Sequence, residues 1–202
     1  YGQSELSYND SDEGYLWGSN SFVADNSIVM AYAYLLSGDN EYADGVIGGM
    51  DYLLGRNPMD YSYVTGYGTH TAEYPHHRYW AQQVDEAFPK APNGVLVGGP
   101  NSGMQDPWVQ GSGWKKGEIA PQKCYLDNIE AWSVNECTIN WNASLAWITG
   151  FTAQENGGIA ALSGLALNDS PTTKADNEKS DDKGEKETIT KAERKTDKTD
   201  KD

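Results

Sequence analysis

Between Asn57 and Asn135 the sequence loses helical periodicity, and this interruption constrains the fold more than any other feature. Gly, Pro, Asn and aromatic residues dominate the stretch. A compact domain rarely carries so long an irregular segment unless regular elements flank it and its loops serve a function. The flanks are helical. Asp25 to Leu36 reads as a mostly buried helix that starts near Asp25 or Asn26. Ser37 to Asn40 is a turn signal, and Glu41 to Leu54 forms a second helix with apolar positions at Tyr42, Val46, Met50, Leu53 and Leu54. Gly55 suits the end of that helix and Pro58 blocks its continuation, so the pair predicts a helical hairpin. Beyond the interruption, Cys137 to Phe151 restores helical spacing. Ile139, Ala143, Ala146 and Gly150 are expected on one face, with Leu145 and Ile148 beside it. Gly157 and Gly158 end the pattern. Residues 159–167 either finish the fold or form a stub.

Aromatic residues set the extent of the folded part. All Trp, Tyr and Phe precede residue 168, whereas 168–202 is mostly Lys, Asp, Glu and Thr. Such a tail cannot bury enough apolar surface to offset the entropy of ordering, so it is expected to be a disordered, hydrated linker. Residues 1–167 hold 19 Asp and Glu against 6 Lys and Arg. Nucleic acid and anionic membrane surfaces call for clustered basic residues, so that charge excludes them and leaves a neutral substrate compatible. No apolar run approaches the ~20 residues of a membrane span. The chain opens on Tyr1, which is read as a missing natural N-terminus. Cys124 and Cys137 make no disulfide framework, and unpaired thiols are expected unless a loop brings them together.

The irregular stretch concentrates polar groups between aromatic rings. Pro75-His76-His77-Arg78-Tyr79-Trp80 is the densest cluster, and Val97-Gly98-Gly99-Pro100-Asn101 is a backbone-exposing turn. Tyr125, Asp127, Trp132 and Glu136 lead into the last helix, which carries Asn140 and Asn142. Rings beside Asn, Asp, Arg and His suit a sugar polymer, because rings stack on pyranose faces while polar groups bond to hydroxyls. A metal site at His76 and His77 is not expected, since adjacent side chains diverge. If Asn135 caps the last helix, Glu136 lies in its first turn, where the helix dipole favours the ionised form.

The stretch from Tyr52 to Phe151 resembles the C-terminal part of glycoside hydrolase family 9, the cellulases and related β-1,4-glucanases. One signature comprises Tyr125, Asp127, Trp132, Glu136, Thr138, Asn142 and Ala143. The other runs through Ser62, Val64, Thr65, Gly68, Pro75, His76 and Arg78, and departs from the family at His70. The segments Tyr15 to Asn20, Tyr52 to Asn57 and Gly98 to Pro100 also resemble it, over roughly residues 12–157. The resemblance implies an all-α fold, the C-terminal part of an (α/α)6 barrel with long active-site loops, and hydrolysis with inversion. By position it implies Glu136 as the general acid, Asp127 as the carboxylate paired with it in the signature, and His76 and Arg78 as holders of sugar hydroxyls. Tyr125 is implied as a wall of the same subsite.

The general base of the family comes from an Asp-Ala-Gly-Asp type motif. Asp10 and Asp12 do not stand in that context. An (α/α)6 barrel has six helix pairs, and periodicity here supplies about three helices. The chain is therefore expected to be a C-terminal quarter to third of a catalytic module, inactive and unstable alone. Cofactors are not required for the chemistry; structural calcium is compatible with the resemblance. Secretion is implied, with the tail leading to a dockerin, a carbohydrate-binding module or a surface anchor. Two alternatives stay open: a non-catalytic glucan-binding protein, and a relative acting on another sugar such as glucosamine oligomers.

Overall fold

A computed structural model describes residues 14–115 and 117–155. The expectations for Asp10, Asp12, Gly157, Gly158, residues 159–167 and the tail, with the boundary between 167 and 168, lie outside the described residues. The described part is all-α. Its elements are α1 (Ser19–Ser37), α2 (Asn40–Leu53), α3 (Pro107–Gly111), a 3-10 turn (Pro121–Lys123), α4 (Trp132–Asn135) and α5 (Ile139–Glu155). No strand ladder forms among the described residues; three isolated pairings join Ser62 to Thr71, Val64 to Leu96 and His76 to Glu136.

α1 and α2 form the expected hairpin. Gly38 takes a left-handed conformation and its N–H donates to Tyr34 O at 2.7 Å. The Asp39 carboxylate then accepts from Glu41 N at 3.0 Å and caps α2. The two helices approach closely where α2 carries Gly45 and Gly49. A Cβ at Gly49 would lie 2.3 Å from Ser27 Oγ of α1, and one at Gly45 2.5 Å from Met30 Sδ. α5 packs against both helices of the hairpin.

Two helix expectations change. α1 begins at Ser19, six residues before Asp25, because its first turn is held by polar bonds that apolar periodicity does not reveal. Ser19 Oγ donates to Pro100 O at 2.7 Å, Asn20 N to Gly98 O at 3.0 Å and Asn20 Nδ2 to Val97 O at 2.9 Å. Nor is α1 mostly buried: Val29, Tyr32, Leu35 and Leu36 are exposed. The last helix is broken. α4 stops at Asn135, Glu136 is extended at φ −62° and ψ 149°, and α5 starts only at Ile139. Asn135 therefore does not cap α5, and Glu136 is not in its first turn. The buried face of α5 consists of Leu145 and Ile148 with half-buried Trp141, while Ile139, Ala143 and Ala146 face outward.

The irregular segment is organised around residues 95–101. On one side Val97 N donates to Tyr63 O at 3.1 Å and Thr65 N to Val95 O at 3.0 Å. On the other, Gly98 N donates to Glu136 O and Gly99 N to Val134 O, each at 2.8 Å. Gly99 has φ 90°, and a Cβ there would come within 2.4 Å of the Asn20 side chain. The glycine is thus required both by its backbone angle and by the close approach of α1. Leu53, Tyr63, Leu96, Val97, Val134 and Ile148 are fully buried around this spine and form the core.

Candidate active site

Two extended segments lie side by side, residues 75–77 and 136–138, joined by the parallel pairing of His76 with Glu136. Successive side chains of an extended segment point to opposite faces. His76 and Glu136 accordingly open onto one cavity, and His77 and Cys137 onto another. The first cavity has a volume of about 360 Å³ and is lined by Trp17, His76, Arg78, Glu130, Trp132 and Glu136. Here the structure brings together three of the residues singled out from the sequence: His76, Arg78 and Glu136.

Glu136 is half-buried. Its carboxylate Oε2 accepts the indole N–H of Trp17 at 3.1 Å. The Trp17 ring packs on Trp132 with centroids 5.1 Å apart. An aromatic wall thus stands beside the carboxyl group. Nδ1 of His76 is hydrogen-bonded to Ile129 O and so carries a proton, because a carbonyl oxygen can only accept. Arg78 is exposed, so its guanidinium remains available to hydroxyls in the cavity.

Asp127 and Tyr125 do not line this cavity. The Asp127 carboxylate accepts four bonds: Tyr61 OH at 2.9 Å, Glu73 N at 2.8 Å, Tyr74 N at 3.0 Å and Asn135 Nδ2 at 3.0 Å. Burial first, and the Asp127 charge second, push the Tyr61 phenol well up, which keeps it a donor. Tyr125 is 3% exposed, and its hydroxyl donates to Asn135 Oδ1 at 2.7 Å. Burial, followed by the charge of Asp127, pushes its phenol up as well. Tyr125, expected as a subsite wall, is thus buried against Asn135 and does not line this cavity.

The second face opens onto a largely apolar cavity bordered by His77, Trp80, Val95, Cys137 and Ile139. His77 stacks on Trp80 with centroids 4.0 Å apart, and its Nδ1 accepts from Tyr79 N and Trp80 N, each at 3.2 Å. Burial and then neighbouring His76 lower its pKa, favouring the neutral ring. Cys137 is unpaired, as is Cys124. Burial, and then the Glu136 charge, push the Cys137 thiol up to about 11. It stays protonated at neutral pH. Among the described residues no group of three or more His, Cys, Asp or Glu could hold a metal ion.

Trp17, Glu130 and Trp132 were not among the residues singled out as a site. Trp17 and Trp132 stand within segments that carry the resemblance, yet only the fold shows that their rings share the cavity. Glu130 carries no signal of its own in the sequence.

A sequence model of glycosyl hydrolase family 9 matches residues 1–149. A cellulose 1,4-beta-cellobiosidase of Acetivibrio thermocellus is 50% identical over 138 residues, 68% of this chain and 15% of the relative. Endoglucanase C of Cellulomonas fimi is 44% identical over 143 residues, 70% of this chain and 13% of the relative. The chain thus spans less than a sixth of either relative. Among solved structures, the family 9 endoglucanase J30 matches with a TM-score of 0.60 and 30% identity, over 68% of this chain and 25% of that one. AaCel9A in complex with cellobiose-like isofagomine matches with a TM-score of 0.60 and 27% identity, over 76% of this chain and 29% of that one.

Proposed function

The chain belongs to glycosyl hydrolase family 9, and from that premise we propose that it supplies the acid-bearing part of an enzyme that hydrolyses β-1,4-glucosidic bonds in cellulose or a related glucan. One observation carries the reading: the Glu136 carboxylate opens into an aromatic-walled cavity that it shares with His76 and Arg78. In this role Glu136 gives its proton to the glycosidic oxygen as the bond from that oxygen to the anomeric carbon breaks. A water molecule attacks the same carbon from the opposite face, and a second carboxylate takes a proton from that water. The two carboxyl groups of inverting enzymes stand about 6.5–9.5 Å apart, leaving room for the water. Among the described residues the only carboxylate lining the cavity besides Glu136 is Glu130, and both lie on the stretch around α4. The base is assigned to a part of the module other than these residues.

His76 Nε2 and the Arg78 guanidinium hold sugar hydroxyls at the cleavage point, and the Trp17 and Trp132 rings provide a stacking wall. Asp127 and Tyr125 act from beneath by holding the floor in place. Hydrolysis by water requires no cofactor, and structural calcium would take no part in the step. The exposed apolar face of α1 packs, in this reading, against the remaining helices of an (α/α)6 barrel. Among the described residues no helix is long and apolar enough to cross a membrane. An extracellular enzyme with residues 168–202 as a linker to a dockerin, a binding module or a surface anchor completes the proposal.

The test is hydrolysis of soluble cello-oligosaccharides by the protein that carries these residues, with the product anomer followed by NMR. Initial release of the α-anomer is the expected result. Release of the β-anomer, or tight binding without turnover, would reject the reading.

The wall makes its own prediction. Trp17→Phe keeps a ring but removes the N–H that bonds Glu136. A hydrogen bond to a charged group contributes about 1.5–3 kcal/mol, and partial exposure places this one at the low end. We expect kcat to fall about tenfold with KM nearly unchanged. A rise in KM at constant kcat would assign Trp17 to uniform sugar binding instead.

A further inference from the structure

We propose that Asn135 is the positioning residue of this site, setting the spacing between His76 and Glu136. The inference rests on the reading of Glu136 as the general acid. Asn135 is fully buried and is not one of the fixed positions of either signature. It is the neighbour of Glu136 in the chain, and its backbone carbonyl accepts the His76 N–H at 2.7 Å. Its side chain reaches the same two regions. Nδ2 donates to Tyr74 O, two residues before His76, and to Asp127 Oδ1 at 3.0 Å. Oδ1 accepts the Tyr125 hydroxyl at 2.7 Å. One residue therefore ties the segment bearing His76 to the segment bearing Glu136, through main chain and side chain together.

The partners also dictate the residue type. Position 135 needs one acceptor toward Tyr125 and two donors toward Tyr74 O and Asp127, which is the inventory of a primary amide. An aspartate would set a second carboxylate about 3 Å from that of Asp127 and lose both donors. An apolar residue would leave the buried Tyr125 hydroxyl and the Tyr74 carbonyl without this partner and take one of four donors from Asp127. Asn135 touches no part of the cavity, so its effect on chemistry passes through the placement of its neighbours. A carboxyl group displaced from the glycosidic oxygen fails only where the leaving group requires its proton.

The experiment compares two substrates in the active protein that carries these residues. Cellotetraose has a leaving group that must be protonated; 2,4-dinitrophenyl β-cellobioside has one that departs as the anion. Asn135→Ala is expected to lower kcat on cellotetraose about 100-fold, the order of loss from a misplacement of about 1 Å. On the dinitrophenyl substrate the loss is expected to stay below about fivefold, with KM on both within about threefold. Asn135→Asp, close in volume, should show the same split and serves as the second variant should the alanine protein not fold. Equal losses on both substrates would reduce Asn135 to a structural residue and overturn the proposal, as would unchanged activity on both. Glu136→Gln, run alongside, separates the two readings. If it shows the split and the Asn135 variants do not, only the positioning role falls. If Glu136→Gln shows no split, the acid assignment itself falls, and the positioning role with it.

Discussion

Replacing Glu136 by Gln is expected to lower kcat on unactivated cello-oligosaccharides by about a thousandfold, within the 10²–10⁴ range of a positioned general acid. Gln keeps the size and one carbonyl acceptor, so the Trp17 indole retains a partner. It cannot give up a proton to an alkoxide. KM should move little, because the lost interaction forms only as the glycosidic bond breaks. Stability should also move little. The Glu136 segment is held by its backbone, through Gly98 N to Glu136 O at 2.8 Å and the adjoining His76 N to Asn135 O at 2.7 Å. A surface-facing change away from that network costs within about 0.5 kcal/mol. Steady-state kinetics together with a denaturant midpoint will decide. Near-wild-type turnover on oligosaccharide would remove Glu136 from the role.

Asp127→Asn is expected to do the reverse, with its larger effect on the fold. Four donors converge on this carboxylate. An amide offers one oxygen and turns an NH2 group toward two donors, so two half-buried bonds to a charge become repulsive contacts. With each such bond contributing about 1.5–3 kcal/mol, a net loss on the order of 3 kcal/mol follows. Activity should fall as well, because residues 73–74 and Asn135 hang on the same group and carry His76 and Glu136 beside them. The denaturant midpoint of the variant measures this. An unchanged midpoint with lost activity would assign Asp127 to the chemistry itself and not to the support.

How far the sequence discloses this arrangement depends on what holds each part. α2 lies within one residue of its expected bounds at both ends, because Asp39 caps it and a run of apolar residues marks its inner face. The start of α1 is hidden, since Ser19 and Asn20 are buried to bond residues 97–100 and carry no apolar signal. The break at Glu136 is hidden for a related reason. Val134 and Ile139 flank it with residues that suit a helix, while the bonds that pull Glu136 into an extended conformation come from Gly98 and from the His76 segment. Pattern resemblance named His76, Arg78 and Glu136, and these share one cavity. It could not show that Tyr125 and Asp127 lie beneath the floor, because a fixed spacing does not say which way a side chain faces. Asn135 reads in the sequence only as a possible helix cap, since it is not a fixed position of either signature and its partners lie up to 61 residues away.

The bond between Trp17 and Glu136 closes a loop of 119 residues, and the bond between Ser144 and Asp25 spans the same distance. Contacts of such long sequence separation must meet a loop-closure entropy before they return any stabilisation, so they form late in folding. During synthesis the helical hairpin can close on local contacts as soon as it emerges. Glu136 cannot acquire its indole partner until residue 136 has been made and its segment has paired with that of His76. Among the described residues the hairpin thus assembles before the cavity that Trp17 shares with Glu136.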